Sequence, residues 1–213
     1  MIRGRFSYDA EGHIYRVGNW VVPGTSEILE AAGYLDRLQR ASLASRARGD
    51  LVHQVTAALD LGLVGGNALR ESPVRGWLVA YATFRASTVL AYDRVEMPVC
   101  NRRLGFATVI DRAGRWAGRR FVLNLKTGQP DPAHAIQRAL ETLALDGARS
   151  RRRRLTLYLK STGTFRVEEH TKAGDFDRAE EAITLWRLHA HDPHTHYPLS
   201  AVRPLTGSRF PSR

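Results

Sequence analysis

The order of apolar and polar residues divides the chain into an N-terminal part of short strands and long helices and a middle part richer in strands. In residues 1–22, turn-forming residues separate three short runs rich in aromatic and β-branched side chains, which predicts a small β-meander. The predicted strands are 6–8, 13–17 and 20–22. A short helix is predicted next, capped by Thr25 or Ser26 and ended by Gly33.

Two longer segments have apolar residues at helical spacing. The first is predicted over residues 35–63, as two pieces that meet near Gly49. The apolar stripe of its second piece contains Val52, Val55, Leu59 and Leu63. The second helix is predicted over 73–92, because proline suits the first helical turn and apolar residues then recur at helical intervals. Its stripe contains Trp77, Tyr81, Phe84 and Val89 or Leu90.

The middle of the chain contains short β-branched runs bounded by turns, and helical patterns interrupt them. We predict strands at 95–100, 105–112, 121–127, 155–160 and 164–169, and helices at 132–145 and 175–188. The predicted buried stripe of the last helix is Phe176, Ala179, Ile183 and Trp186. Strands with helices before and after them predict an α/β core preceded by a helical portion. We expect one domain over 1–190, divided into a hairpin and helices (1–92) and a sheet core (93–190), with a tail over 191–213.

The charge balance points to an anionic partner. The 213 residues contain 32 Lys and Arg against 21 Asp and Glu, a formal net charge of +11. The 43% hydrophobic and 25% charged fractions are close to the globular average, which excludes wholesale disorder, a collagen-like chain and a small disulfide scaffold. Composition alone leaves DNA, RNA, acidic lipid headgroups and an acidic protein open as partners.

Cysteine content and the length of apolar runs bear on the compartment. Cys100 is the only cysteine, which excludes an intramolecular disulfide and a Cys-rich zinc site. No apolar signal core follows the cationic residues 1–5, and the most apolar stretch, 77–84, is far shorter than the ~20 residues of a membrane span. We therefore expect a cytoplasmic protein with no membrane partner.

The predicted strand 121–127 carries two polar residues on one face. Strict alternation places Asn124 and Lys126 on one side and the leucines between them on the other. An edge strand with a solvated polar face is the plain explanation. The alternative depends on Asp111, which ends the preceding predicted strand, because 112–114 are predicted to turn the chain back. A hairpin of the two strands would bring Asp111, Asn124 and Lys126 together.

Five segments carry a set of short motifs along the chain. They are VPGTSEIL (22–29), ARGDLVH (47–53), GFATVIDR (105–112), VLNLKTG (122–128) and HAIQ (134–137). With these motifs the chain, from about residue 6 to residue 186, resembles the PD-(D/E)XK nuclease superfamily, specifically its RecB-like branch of phage and bacterial recombination exonucleases. The second segment is similar to the G-x-x-V-H helix of that branch. The first is similar to the V-P-S-x-T-x-I-L motif of its phage members, from which Gly24 and Ser26 depart.

The resemblance implies an α/β fold with a restriction-endonuclease-like core, in which helices flank a central mixed β-sheet and an N-terminal β-hairpin and helical portion come first. It also implies Mg²⁺ or Mn²⁺ as cofactor, because phosphodiester hydrolysis needs a hard cation that prefers carboxylate and carbonyl oxygens. The implied metal ligands are His53, Asp111, Asn124 and the backbone carbonyl of Leu125. By the same resemblance, Lys126 orients or deprotonates the attacking water, Glu96 holds a metal-bound water, and Gln137 supports the site.

Asn124 departs from the family pattern at an important position. The family carries Asp or Glu before x-K, whereas Asn124 offers an amide oxygen without a negative charge, so metal affinity should drop. Glu141 stands where a tyrosine often follows the helix glutamine. Two interpretations stay open: an Asp-to-Asn change engineered to trap a substrate complex, or a natural homologue with weakened or absent catalysis. A lone helical histidine such as His53 is more often a hydrogen-bonded residue than a metal ligand, and its G-x-x-V-H context is what favours the ligand.

Arginines occur in groups, and their surplus has the sign that a phosphate backbone requires. Their guanidinium groups suit bidentate phosphate contacts. The predicted DNA-binding residues are Arg46, Arg48, Arg102, Arg103, Arg119, Arg120, Arg151 and Arg152. Because no base-reading helix or aromatic platform is recognisable, we expect linear, end-containing DNA with little sequence preference. A recombination or single-strand-annealing protein is a further expected partner, and the His-rich segment from His189 onward is expected to have no catalytic role.

Three functions are compatible with these observations. The first is a metal-dependent DNA exonuclease or end-processing nuclease of recombination or repair, weakened or inactivated by Asn124. The second is a catalytically inactive nuclease-fold protein that binds or protects DNA ends. The third is a basic protein-interaction module, for instance an inhibitor of a host nuclease. Metal-dependent degradation of DNA, metal-independent DNA binding, and equal retention on DNA and on an unrelated polyanion would separate them.

Overall fold

The centre of the fold is a five-stranded mixed sheet, and a three-stranded antiparallel sheet precedes it in the chain. The structure, a computed structural model, describes residues 3–35, 42–65 and 72–189. The small sheet consists of β1 (Phe6–Asp9), β2 (Ile14–Val17) and β3 (Trp20–Val22). The large sheet has the order β4 (Leu90–Asn101), β5 (Phe106–Trp116), β6 (Arg119–Lys126), β7 (Arg153–Leu159) and β8 (Phe165–Glu169).

Five helices belong to the described residues. They are α1 (Thr25–Ala31), α2 (Leu43–Asp60), α3 (Arg75–Ser87), α4 (Ala133–Asp146) and α5 (Gly174–His189). Helix α4 connects β6 to β7, which is the one parallel pair of the large sheet, as a β-α-β crossover requires. The predicted α/β class with a central mixed sheet flanked by helices is therefore confirmed.

The two faces of the large sheet have separate apolar cores. One core contains residues of α1, α4 and α5, including the predicted stripe residues Phe176, Ala179 and Ile183. The other packs α2 and α3 against Leu123 and Leu125 of β6. The alternation predicted for this strand is confirmed, because these leucines are buried on the α2 side while Asn124 contacts α4. Asn124 and Lys126 thus do not lie on a solvated edge, since β6 is the central strand.

The small sheet is joined to the start of β5. The backbone N–H of Ala107 donates to the carbonyl of Pro23 (2.9 Å), and the hydroxyls of Thr25 and Thr108 are 3.1 Å apart. The predicted cap, Thr25 or Ser26, is wrong, because both residues lie inside α1. Gly24 occupies the cap position, and its N–H donates to the Glu27 carboxylate (2.6 Å).

Both long helical predictions need correction. Helix α3 ends at Ser87, because Leu90 pairs with Trp116 as the first residue of β4, and Val89 is 91% exposed. Helix α2 runs without a break over Gly49, although glycine inside a helix costs roughly 1 kcal/mol relative to alanine. Leu63 lies beyond the end of α2 and is exposed. Residues 36–41 of the first predicted piece, and the predicted tail over 191–213, lie outside the described residues.

The turn predicted at 112–114 is wrong. Strand β5 continues to Trp116, and the chain turns at Ala117 and Gly118, which both have positive φ. Gly114 lies inside the strand, where an added Cβ would meet the carbonyl oxygen of Ala91 at 1.9 Å. The glycine is needed for close approach of β4, and a sequence pattern does not distinguish this need from a turn.

We expect Gly114→Ala to lower the free energy of unfolding by about 3 kcal/mol, because the new methyl group would displace the backbone of β4. Urea denaturation of this variant and of Gly128→Ala checks the expectation. Gly128 is the matched control, since an added Cβ there meets nothing within 4 Å. Equal midpoints for both variants would contradict the close-packing explanation.

No helix in the described part of the chain is both long and apolar enough to cross a membrane.

Candidate metal centre

Three side chains from different elements meet beside the central strand. They are His53 of α2, Glu96 of β4 and Asp111 of β5, and one ligand atom of each lies within 4.8 Å of the others. His53 Nδ1 is 3.2 Å from Glu96 Oε1 and 3.6 Å from Asp111 Oδ2. Asp111 is buried, whereas His53 and Glu96 are partly open to solvent. Two carboxylates and an imidazole at this separation are a donor set for a divalent cation.

Leu125 completes the surroundings of Asp111 with its backbone. Its N–H donates to Asp111 Oδ2 (2.8 Å), and its carbonyl oxygen is 3.2 Å from His53 Nε2. The backbone pairing of β5 with β6 ends at Arg112 and Leu123. Beyond this pair, the Leu125 N–H donates to the Asp111 side chain and not to a backbone carbonyl of β5. Of the four implied ligands, the structure therefore brings together three: His53, Asp111 and the Leu125 carbonyl.

Glu96 enters the group through an unusual backbone conformation. It lies opposite Asp111, between the pairs Val95–Arg112 and Met97–Ile110, and its φ is +42°. A non-glycine residue in this region costs on the order of 1–3 kcal/mol, and such residues concentrate at functional sites. The Glu96 carboxylate contacts His53 (3.2 Å), whereas the resemblance implied only that Glu96 holds a metal-bound water.

Asn124 does not join the three-residue group. Its side chain is buried, and Nδ2 is 3.5 Å from Glu141 Oε1 on α4, at the long limit of a hydrogen bond. Its Oδ1 has no hydrogen-bond partner among the described residues. Glu141 also accepts from Arg138 Nη2 (2.5 Å), and both side chains of this ion pair are fully buried. The amide at position 124 is thus oriented toward a buried ion pair.

Lys126 lies one residue beyond the Leu125 carbonyl, near the Arg138 guanidinium and the carboxyl groups of Asp111, Asp131 and Glu141. Burial of its ammonium group and the nearby Arg138 guanidinium lower the pKa of Lys126 to about 8. Near neutral pH a fraction of this side chain is therefore uncharged and able to accept a proton. The pKa of His53 is raised. Burial acts to lower this pKa, but the carboxylates of Asp111 and Glu96 together have the larger effect.

Gln137 has no visible link to the group. It is half-buried on α4, and its side chain makes no hydrogen bond within the described ranges. Its neighbours on the helix are engaged elsewhere, since His134 Nδ1 is 2.9 Å from the Tyr158 hydroxyl and Arg138 binds Glu141. The supporting role that the resemblance implies for Gln137 stays a prediction.

The predicted DNA-binding arginines differ in their exposure to solvent. The exposed ones are Arg46, Arg103, Arg119, Arg120 and Arg151, and Arg102 is half-buried. Arg152 forms a bidentate ion pair with Asp146 (2.6 and 3.1 Å) that leaves its side chain 8% exposed. Arg48 lies over the ring of Trp77 at 5.1 Å. Arg152 therefore stabilises the C-terminal end of α4 and offers little surface to a phosphate.

The structure adds three residues that sequence reasoning missed as site neighbours. Arg112 was interpreted as part of a turn, yet its side chain is fully buried behind Glu96. Arg138 and Glu141 have the spacing of an ion pair on one helix turn, which is a usable sequence signal, but nothing in the sequence places that pair beside Asn124.

A comparison with protein-family models finds no match for this chain, and a comparison with curated proteins finds none either.

Proposed function

We propose that this protein is a divalent-metal-dependent nuclease that acts on DNA ends in recombination or repair, with catalysis weakened by Asn124. The observation that carries the proposal is the group formed by His53, Glu96 and Asp111, with the Leu125 carbonyl and the low-pKa Lys126 beside it. A metal-ligating group adjacent to a lysine that can take up a proton is suited to hydrolysis of a phosphodiester.

The donor set fits the proposed cofactor. Asp111, Glu96 and the Leu125 carbonyl offer oxygens, which Mg²⁺ and Mn²⁺ prefer, and His53 adds a nitrogen. Because imidazole is a better ligand for transition metals than for Mg²⁺, this set favours Mn²⁺. The bound ion would supply Lewis-acid activation of the phosphate and a polarised water.

The chain's own residues prepare the site for this chemistry. The Leu125 N–H fixes Asp111 Oδ2 and leaves its other carboxylate oxygen for a ligand. Neutral Lys126 accepts a proton from the attacking water, and the protonated form offsets charge on the phosphate. The overall charge of +11 and the exposed arginines support a polyanionic substrate, for which linear DNA with little sequence preference is proposed. Cytoplasmic location and a recombination or annealing partner belong to the same proposal.

Asp111→Asn should weaken Mn²⁺ binding by more than about 100-fold and abolish any Mn²⁺-dependent shortening of linear duplex DNA, because it removes the buried carboxylate of the group. Calorimetric titration with MnCl₂ and a gel assay with end-labelled DNA measure both effects. Asp175→Asn is the matched control, since Asp175 is an equally buried carboxylate that pairs with Arg154. Equal Mn²⁺ binding by both variants would remove the basis of the proposed function.

A second candidate is a nuclease-fold protein that binds DNA ends without cutting them. The orientation of Asn124 toward Glu141 favours it, because β6 then contributes no carboxylate to the metal group. This candidate predicts DNA binding that needs no metal, weakens steeply with salt and is unchanged in Asp111→Asn. Fluorescence anisotropy in EDTA at several salt concentrations, with and without later addition of Mn²⁺, distinguishes the two candidates.

A further inference from the structure

Arg112 is buried directly behind the candidate metal centre. Its side chain has no exposed surface, although it follows Asp111 in the chain. Its Nη1 donates to Glu96 Oε1 (2.9 Å) and to the backbone carbonyl of Asp111 (2.6 Å). Arg112 thus contacts both strands that supply carboxylates to the group.

The same guanidinium also holds α2, the helix that supplies His53. Arg112 Nη2 donates to Thr56 Oγ1 (3.1 Å), and Arg112 Nε donates to Asp60 Oδ2 (2.6 Å). The Thr56 hydroxyl donates to the carbonyl of Val52 (2.8 Å) and lies 3.1 Å from that of His53, so it binds the turn of α2 that carries His53. A single buried side chain therefore connects the three elements whose meeting forms the metal group.

The contact with Glu96 is specific to one oxygen. Oε1 of Glu96 is the atom that both Arg112 and His53 contact, and Oε2 makes no hydrogen bond among the described residues. The Glu96 backbone has a positive φ, a conformation that persists only where the surroundings hold it, and the contacts of Oε1 with Arg112 and His53 contribute to this. The arrangement fixes one oxygen and leaves the other for a ligand.

We propose that Arg112 is the positioning residue of the candidate metal centre: it holds the Glu96 carboxylate and the His53 turn of α2 in the geometry that binds the cation. This inference rests on the proposed function, because it concerns the same metal group. Residues that orient metal ligands in this way change metal affinity about 10- to 100-fold when they are substituted. A residue with a merely structural role would lower stability and leave the bound metal's ligands unchanged.

The first test is the affinity for Mn²⁺ alone. We expect Arg112→Met to raise the dissociation constant at least tenfold, by calorimetric titration. The matched control is Arg154→Met, since Arg154 is also a buried arginine, paired with Asp175 (3.2 Å) on α5. The control should change the constant by less than twofold although it too loses a buried ion pair. Equal losses in the two variants would overturn the proposal.

The second test examines which ligand Arg112 acts through. At saturating Co²⁺, the visible spectrum reports the ligand set, and Arg112→Met should give the same altered spectrum as Glu96→Gln. The double variant should add nothing to either single change. If Arg112→Met does not fold, Arg112→Lys takes its place, because lysine keeps the charge but cannot make the forked contacts. A wild-type spectrum in the position-112 variant would overturn the proposal while the metal site stands, whereas absence of Mn²⁺ and Co²⁺ binding by the wild type would overturn both.

Discussion

Asn124→Asp on its own should destabilise the protein by about 1–3 kcal/mol near neutral pH. The amide nitrogen of Asn124 is directed at Glu141 Oε1, and aspartate would replace this donor by a second carboxylate in a buried place. An acidic residue at position 124 is therefore not a neutral change in this fold.

A carboxyl group of α4, that of Glu141, lies beside Asn124, and burial raises the pKa of Glu141 to about 8. Glu141 binds Arg138, with both side chains fully buried. Glu141→Gln alone should cost about 3–5 kcal/mol, because it leaves Arg138 as an uncompensated buried charge. Arg138 has two further N–H groups, Nε and Nη1, without hydrogen-bond partners in the described part of the chain. In the double variant Asn124→Asp/Glu141→Gln these groups gain a carboxylate, so the double variant should be more stable than Glu141→Gln.

Urea denaturation of the wild type, both single variants and the double variant measures this coupling as a double-mutant cycle. Titration with Mn²⁺ measures the effect on the candidate metal centre. We expect the double variant to bind Mn²⁺ at least tenfold more tightly than the wild type, because a carboxylate would then stand on β6 directly before Leu125, whose N–H binds Asp111. Additive effects of the two substitutions on unfolding would show that positions 124 and 141 do not interact. Unchanged Mn²⁺ affinity in a stable double variant would show that position 124 does not reach the candidate metal centre.

Lys126→Met should lower the rate of DNA hydrolysis and raise the free energy of unfolding. Removal of the proposed base should lower the rate of DNA hydrolysis by about 10²–10⁴-fold. The same change should stabilise the fold at pH 7, by up to about 3 kcal/mol, because burial and Arg138 disfavour the charged lysine and lower its pKa to about 8. A loss of activity together with a gain in stability is typical of a functional residue that destabilises the fold.

The pH dependence follows from the direction of that shift. Below about pH 8 both the folded and the unfolded chain carry the proton on Lys126, and the full penalty is present. Between about pH 8 and the ordinary lysine pKa of 10.5, the unfolded chain binds more protons, so the stability of the wild type rises toward that of Lys126→Met. Urea denaturation from pH 7 to pH 10 measures this convergence. Lys160→Met, at an exposed lysine, is the control and should stay parallel to the wild type.

Local patterns predicted most of the secondary structure, because helices and strands depend on residues near each other in the chain. The alternation of β6 correctly separated Leu123 and Leu125 from the polar pair, and the spacing in α5 correctly identified its buried face. The errors at Gly114 and Leu90 have one cause. The conformation of each depends on a residue of the neighbouring strand: Gly114 lies against Ala91, and Leu90 pairs with Trp116. A local sequence pattern does not contain such partners.

The sequence by itself thus determined the α/β class, the strong positive charge and the candidate residues His53, Glu96 and Asp111 one by one. Only the tertiary structure decided that these three meet, that Asn124 is oriented toward Glu141, and that Arg112 is buried at their centre. The physical reason is distance along the chain: His53 and Glu96 are 43 residues apart, and packing of α2 on the sheet is what brings their charges together. The energy of a buried charge depends on such distant partners, so it becomes visible only in the folded molecule.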